Sequence, residues 1–346
     1  MFVGSAGKEY KQRFQHGICY RCRVMNVWKL RMSMAGTVAL IVGLSTLFFT
    51  LILTLTGAFD IVTLGVLIAV FNVAQWLASP YIIDALYKVR ELPANEHPEL
   101  HSMLDNLSQK SGIKKPRLML ANIPLPNAFA YGSPVAGTRI AVTGELLKAL
   151  DVGEVEAVVG HELGHLRHRD VQTMMFVSML PAVAYYIGYS FMISSMFRNQ
   201  REKGNGGALL GIAFMAFSWV LNIFILYLSR LREYYADRHS ATVVDRGASK
   251  LSTGLAKIVK ASKSLNKARP ETKTLGAFKA LFITDPDRAR LDSAEISRAA
   301  VGDNLKLVQE ILSRKLTTAD RILEVFSTHP NIIKRLKALQ ELDQTA

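Results

Sequence analysis

The sequence predicts a mainly α-helical integral membrane protein, with four transmembrane helices carrying an α+β domain at one membrane face. Three observations lead there. The 346 residues are 50% hydrophobic and only 20% charged, with a positive mean hydropathy, too apolar for an ordinary soluble chain. Four long stretches carry no charge at all. Between the second and third of these lies a polar segment in which helical and β-like patterns alternate.

Residues 1–31 hold seven basic side chains (Lys8, Lys11, Arg13, Arg21, Arg23, Lys29, Arg31) against one acid, Glu9. No apolar period accompanies them, so they read as a basic cytoplasmic tail, with Met25, Met32 and Met34 as alternative starts. Cys19 and Cys22 form a lone CxxC without a second pair to complete a metal site, and read as ordinary thiols. Residues 32–59 are uncharged over 28 positions and residues 61–83 over 23. Each exceeds the roughly 20 needed to cross a hydrocarbon core, giving a transmembrane hairpin over 32–83 with a tight turn at Gly57–Asp60.

Residues 84–170 form the first part of the α+β domain. A helix is predicted over Pro98–Ser111, then short strands at Arg117–Ala121, Asn127–Tyr131 and Thr138–Val142, divided by Pro and Gly. Asp151 and Glu154 make an acidic capping box that starts the next helix. A second uncharged pair follows, 171–197 (27 positions, interrupted by Pro181) and 204–229 (26 positions), predicting a hairpin over 171–229. Residues 230–346 are the helical second part of the domain. There Leu251, Leu255, Ile258 and Val259 share one face and Lys257, Lys260 and Lys263 another, read as a solvated face.

The formal net charge of +14 suits anionic lipid better than nucleic acid, because no nucleic-acid-binding module is recognisable. With four spans, the positive-inside rule places the tail, the 84–170 segment and the C-terminal region in the cytoplasm. Arg198, Arg201 and Lys203 then sit on the far side against the rule, and the inverted orientation is the competing topology.

The helix begun at Asp151 carries His161-Glu162-Leu163-Gly164-His165. Positions i and i+4 share a helix face, so both imidazoles can reach one metal ion with Glu162 beside them as a base, the geometry of a zinc peptidase. No Pro or Gly intervenes before Val171, so the helix is expected to run straight into the third span, with the site about 9 Å from the membrane. A catalytic zinc takes three protein ligands and keeps a position for water. Glu233 lies four residues past the fourth span, about 6 Å of helix, and two intervening spans return it to the same membrane side. His168 shares the face of both histidines but stands about 10.5 Å of rise from His161, too far to join one ion on a straight helix. Asp237, one turn after Glu233, is placed to accept a hydrogen bond from the non-ligating nitrogen of His161.

Together with two further segments, Asn127-Ala128-Phe129-Ala130 and Ser327-Thr328-His329-Pro330, these motifs make the chain resemble the HtpX-type membrane zinc metallopeptidases, relatives of the prenyl-protein (CAAX) endopeptidases. The resemblance spans about Val27 to Leu342. It implies a zincin-like catalytic domain and one zinc ion per chain. Asn127, Ala128, Phe129 and Ala130 would border the cleft and pair with an extended substrate. His329 and Arg335 would stabilise the oxyanion, and Asp170 would serve as a supporting acid. The tail before Met25 and the CxxC have no counterpart in the family pattern.

The expected activity is zinc-dependent hydrolysis of peptide bonds in membrane or misfolded proteins at the cytoplasmic face of the cell membrane, in quality control under stress. Zinc held by His161, His165 and Glu233 would polarise the scissile carbonyl, and Glu162 would act as general base and then acid. Two alternatives stand beside it: an endopeptidase specific for prenylated peptides, and a membrane scaffold whose zinc is structural. The partners expected are protein or peptide substrates and the lipid bilayer.

Overall fold

The computed structural model describes residues 61–197, 206–268 and 304–344. The basic tail with Cys19 and Cys22, the first expected span over 32–59, the Gly57–Asp60 turn and the Arg198–Lys203 link lie outside them. The chain opens on helix α1 (Ile61–Leu86), then strand β1 (Arg90–Glu91), helix α2 (Pro98–Ser111) and strands β2 (Arg117–Ala121), β3 (Ala128–Ser133) and β4 (Gly137–Thr143). Helices α3 (Gly144–Ala149), α4 (Val152–Arg167), α5 (Asp170–Phe197), α6 (Gly206–Val243) and α7 (Gly247–Ala268) follow, and α8 (Asn304–Ser313), α9 (Thr318–Val325) and α10 (Ile332–Asp343) close it.

The four strands form one sheet in the order β1-β2-β4-β3, with β2 and β4 parallel and the two outer pairs antiparallel. Alternation of side chains across the pleat gives it two apolar faces. Leu118, Ala128, Ile140 and Val142 pack into the main core, shared with α4, α7, α8 and α10. Met119, Phe129, Tyr131 and Ala141 pack against Ile83 and Tyr87 around the end of α1. Asp84 anchors that end by accepting a hydrogen bond from Tyr131 Oη at 2.7 Å and pairing with Arg139. Among the described residues, the two-residue β1, too short to show a period, is the one strand that pattern reading misses.

The acidic capping box is present as expected. Glu154 N–H donates to Asp151 Oδ1 (2.9 Å), and Asp151 N–H donates to Glu154 Oε2 (3.0 Å), a pairing worth about 0.5–2 kcal/mol at a helix start. Lys257 is not simply solvated: its Nζ reaches Glu154 Oε2 at 2.7 Å, tying α7 to the start of α4. Leu251, Leu255, Ile258 and Val259 are buried on the other face of α7, as the period requires.

Among the described residues, two helices are long and apolar enough to cross a membrane, Asp170–Met192 and Gly207–Val243. They pack against each other through Val177, Leu221, Ile225 and Leu228 and again through Ala184, Ile187 and Phe214. Gly188 and Gly211 meet where they cross, since a Cβ on either would lie 2.7 Å from the other's carbonyl oxygen. Phe176, Tyr185, Leu209, Ile212, Trp219 and Val220 are exposed on the outside of the pair, an apolar surface that water would penalise and lipid accepts.

One expectation is overturned. The HExxH helix does not run on into the span: α4 ends at Arg167, Arg169 adopts φ +54°, and α5 starts at Asp170. His168 closes α4, its Nδ1 within 2.7 Å of Gly164 O. A left-handed non-glycine residue has no signature in this sequence, and the break holds because the side chains around it have partners that only the folded chain supplies.

Candidate active site

The site is built where α4 crosses α6. Small residues let the two backbones approach: Ser240 Oγ donates to Ala157 O at 2.6 Å, and a Cβ on Gly164 would lie 2.9 Å from Ala236 Cα and 3.1 Å from His239 Cβ. The Gly inside the pentapeptide therefore serves the crossing that carries both histidines to α6. Gly164→Ala is expected to force the helices apart at a cost of about 1–3 kcal/mol and to lower the metal content of the purified protein. A wild-type thermal midpoint with full metal content would contradict this.

At the crossing, His161 Nε2 and His165 Nε2 stand 3.2 Å apart. Glu233 completes a triangle, with Oε1 3.5 Å from His165 Nε2 and Oε2 3.7 Å from His161 Nε2. Donors about 2.0–2.1 Å from a tetrahedral zinc lie about 3.3 Å from one another, so the three spacings fit that ion. Among the described residues this is the one group of three or more His, Cys, Asp or Glu side chains with metal-binding spacing. The expected third ligand, Glu233, is therefore brought to both histidines. His168 is turned away, its ring against Tyr235 at 4.9 Å and towards His239 at 6.1 Å.

Behind the triangle, each imidazole has a carboxylate on its other nitrogen. His161 Nδ1 lies 2.9 Å from Asp237 Oδ1, and His165 Nδ1 donates to Asp170 Oδ2 at 2.6 Å. Both arrangements put the proton on Nδ1 and leave the Nε2 lone pair facing inward, as metal-bound histidines require. Asp170 reaches His165 because the chain turns at Arg169. Arg232, a residue that sequence reasoning missed, sits 3.1 Å from the other oxygen of Asp170. Burial works to lower the His165 imidazole, but the Asp170 hydrogen bond and the carboxylates of Glu233, Asp170 and Glu162 outweigh it and hold it at about 9, so without a metal its Nε2 is also protonated at neutral pH and a bound ion would displace that proton.

Glu162 faces the sheet. Its Oε2 accepts a hydrogen bond from Ala130 N–H at 2.8 Å, on the free edge of β3. Burial pushes the Glu162 carboxyl above the usual carboxylate range; Glu233 adds to this, while His165 and His161 oppose it. Of the expected substrate-pairing segment, Ala128, Phe129 and Ala130 belong to this edge strand. Asn127 precedes it, and its backbone is already committed: its N–H donates to Thr143 Oγ1 and its carbonyl accepts from Thr143 N–H, both at 3.0 Å. The edge open to a substrate strand therefore begins at Ala128.

The C-terminal segment closes the site from the far side. His329 is buried, with Nε2 3.7 Å from Glu233 Oε1 and Nδ1 3.0 Å from Thr328 Oγ1. Arg335 is 1% exposed. It donates from Nε and Nη2 to the two oxygens of Asp237 at 2.9 and 2.6 Å, and its Nη1 lies 3.1 Å from Glu233 Oε2. Burial would lower the guanidinium, but Asp237 and Glu233 keep it charged. The structure thus sets Arg335 behind the ligand triangle, bridging Glu233 of the triangle and Asp237 behind it.

The sequence pattern of peptidase family M48 matches residues 94–343. The chain is 38% identical over 292 residues to a protein named protease HtpX homolog from Thermoplasma acidophilum, covering 82% of this chain and 86% of that one. It is 35% identical over 333 residues to protease HtpX homolog 2 from Saccharolobus solfataricus, covering 92% and 98%. Among solved structures, S. mikatae Ste24p is similar in fold, with a TM-score of 0.51 at 16% identity; the match covers 90% of this chain and 66% of that one.

Proposed function

The chain belongs to peptidase family M48 as a protease of the HtpX type, and from that premise we propose that it is a zinc-dependent endopeptidase working at the cytoplasmic face of the membrane. The observation that carries this reading is the meeting of His161, His165 and Glu233 within 4.8 Å of one another, with Glu162 next in sequence to the first of them. Among the described residues these three donors stand without a fourth, the arrangement of a catalytic rather than a structural zinc site. When bound there, zinc supplies Lewis acidity towards a carbonyl oxygen and makes a water acidic enough to ionise near neutral pH.

The chain's own residues do the rest. Asp237 and Asp170 fix the imidazole tautomers, and Arg335 holds Glu233 and Asp237 in place against their mutual repulsion. Glu162 takes the proton of the attacking water on a carboxylate oxygen and passes it to the leaving nitrogen, a transfer helped by the upward shift that burial gives its carboxyl. A substrate in extended conformation would add to β3 at Ala128–Ala130, displacing Glu162 from Ala130 N–H. His329, beside Glu233, is the candidate donor to charge developing on the substrate oxygen.

Asp170 at the start of α5 and Glu233 near the far end of α6 both lie at this site, which supports a cleft at the membrane surface, suited to membrane proteins or unfolded segments presented there. Four spans, a cytoplasmic site and a role in quality control complete the reading; the balance of basic residues near the span ends supports the orientation. The test is proteolysis of a model membrane protein in detergent. Cleavage is expected with zinc, lost after chelation and recovered on adding zinc back. Cleavage that survives removal of all bound metal would overturn the proposal.

A further inference from the structure

Helix α9 is built inside out. Its apolar residues Ile322, Leu323 and Val325, with Phe326 just beyond, are 57%, 46%, 38% and 55% exposed, while Glu324 among them is 8% exposed. The inward carboxylate is fully used: Glu324 Oε1 accepts from Asn331 N–H at 3.1 Å, and its other oxygen pairs with Lys334. Arg321, nearer the Thr317 end, is exposed as well; even so, in water a helix that turns a carboxylate inward and four large apolar side chains outward is the wrong way round.

Four further features point to lipid as the cover of this face. The Phe326 ring lies 6.3 Å from Trp219 of α6, which is itself 58% exposed on the outside of the apolar pair, so the two surfaces are continuous. Arg230 is the first charge after the 26 uncharged positions 204–229. Its guanidinium stacks over Tyr227 at 5.7 Å, a basic and aromatic pairing typical of the membrane–water boundary. The same Arg230 Nη1 donates to the carbonyls of Glu324, Val325 and Ser327 at 2.7, 3.1 and 2.7 Å. Glu324 O also accepts from Ser327 N–H at 3.2 Å, while the carbonyls of Val325, the last residue of α9, and of Ser327 beyond it gain from Arg230 a partner that a bilayer could not supply. At the opposite end, Asp320 N–H donates to Thr317 Oγ1 in a polar cap, exposed on its outer side.

We propose that α9 is an interfacial helix whose Ile322–Phe326 face lies among the acyl chains of the lipid bilayer, with its Thr317 end in the headgroup layer. Three residues beyond Phe326 stands His329, so the proposed lipid contact lies close in the chain to the wall of the candidate active site.

The test uses the full chain with Cys19 and Cys22 replaced by Ser and one new cysteine, Ile322→Cys or Phe326→Cys, carrying a bimane fluorophore. The protein is reconstituted into phosphatidylcholine–phosphatidylglycerol vesicles. Asp343→Cys serves as the aqueous reference and Ile212→Cys as the reference within the span. Nitroxides on lipid acyl chains are expected to quench positions 322 and 326 as strongly as 212, and iodide to quench them several-fold less than 343. Iodide quenching equal to that at 343 would place the face in water and overturn the proposal. Protection from both quenchers would show that protein covers it, either another part of this chain or a second copy, and would overturn it equally. A position 212 untouched by lipid nitroxide would remove α6 from the bilayer and the proposal with it.

Discussion

Glu162→Gln is expected to lower peptide-bond cleavage by about 10²–10⁴-fold, the usual contribution of a positioned acid–base group, while leaving one zinc per chain. The substitution is nearly isosteric, and its amide oxygen can still accept the Ala130 N–H that Glu162 Oε2 now holds at 2.8 Å. None of the ligand triangle is touched. What is lost is a group able to take a proton and give it back. Parallel measurement of cleavage rate and bound metal checks this, and an active Glu162→Gln protein would refute the mechanism.

Arg335→Met should act on a different quantity. Removing the guanidinium leaves Glu233 and Asp237, both buried, without the cation that pairs with them. Breaking a buried ion pair from one side costs about 3–5 kcal/mol, so the thermal midpoint should fall sharply and metal retention should weaken with it. Arg335→Lys, which keeps the charge but not the two-pronged contact with Asp237, should fall between. These measurements also separate two roles. If Arg335 acted on the substrate's developing charge, Arg335→Met would keep stability and metal and lose only turnover. The contacts of 2.6 and 2.9 Å to Asp237 and 3.1 Å to Glu233 favour the structural outcome.

Much of this was legible because it is local. Capping at Asp151 needs only Glu154; the strand at Arg117–Ala121 needs only alternating side chains; the histidine pair needs only a helical turn. Uncharged length alone marks out the two long apolar helices, α5 and α6, and the grouping of Glu233 with His165 is what counting two spans between them predicts. Asp237 on His161 follows from the same helical turn once Glu233 is accepted.

Other features required the folded chain. The turn at Arg169 interrupts a sequence without Gly or Pro, and it is this turn that brings Asp170 back to His165. Arg335 reaches Asp237 across 98 residues, and its clamp on two carboxylates is invisible to any short window. Gly164 reads as a spacer within the motif until Ala236 is seen pressing on it. In α9, the apolar residues that periodicity would assign to a protein core face outward, because Arg230 and Lys334 supply partners for the helix's inner polar groups. By itself the sequence determined the two long apolar helices over 170–243, the strands β2, β3 and β4, the Asp151 cap and the grouping of His161, His165 and Glu233, since hydrophobic period, uncharged length and capping act within a few turns of chain. Tertiary structure alone decided which buried charges compensate one another and which apolar face remains open, since burial and charge pairing depend on neighbours distant in sequence.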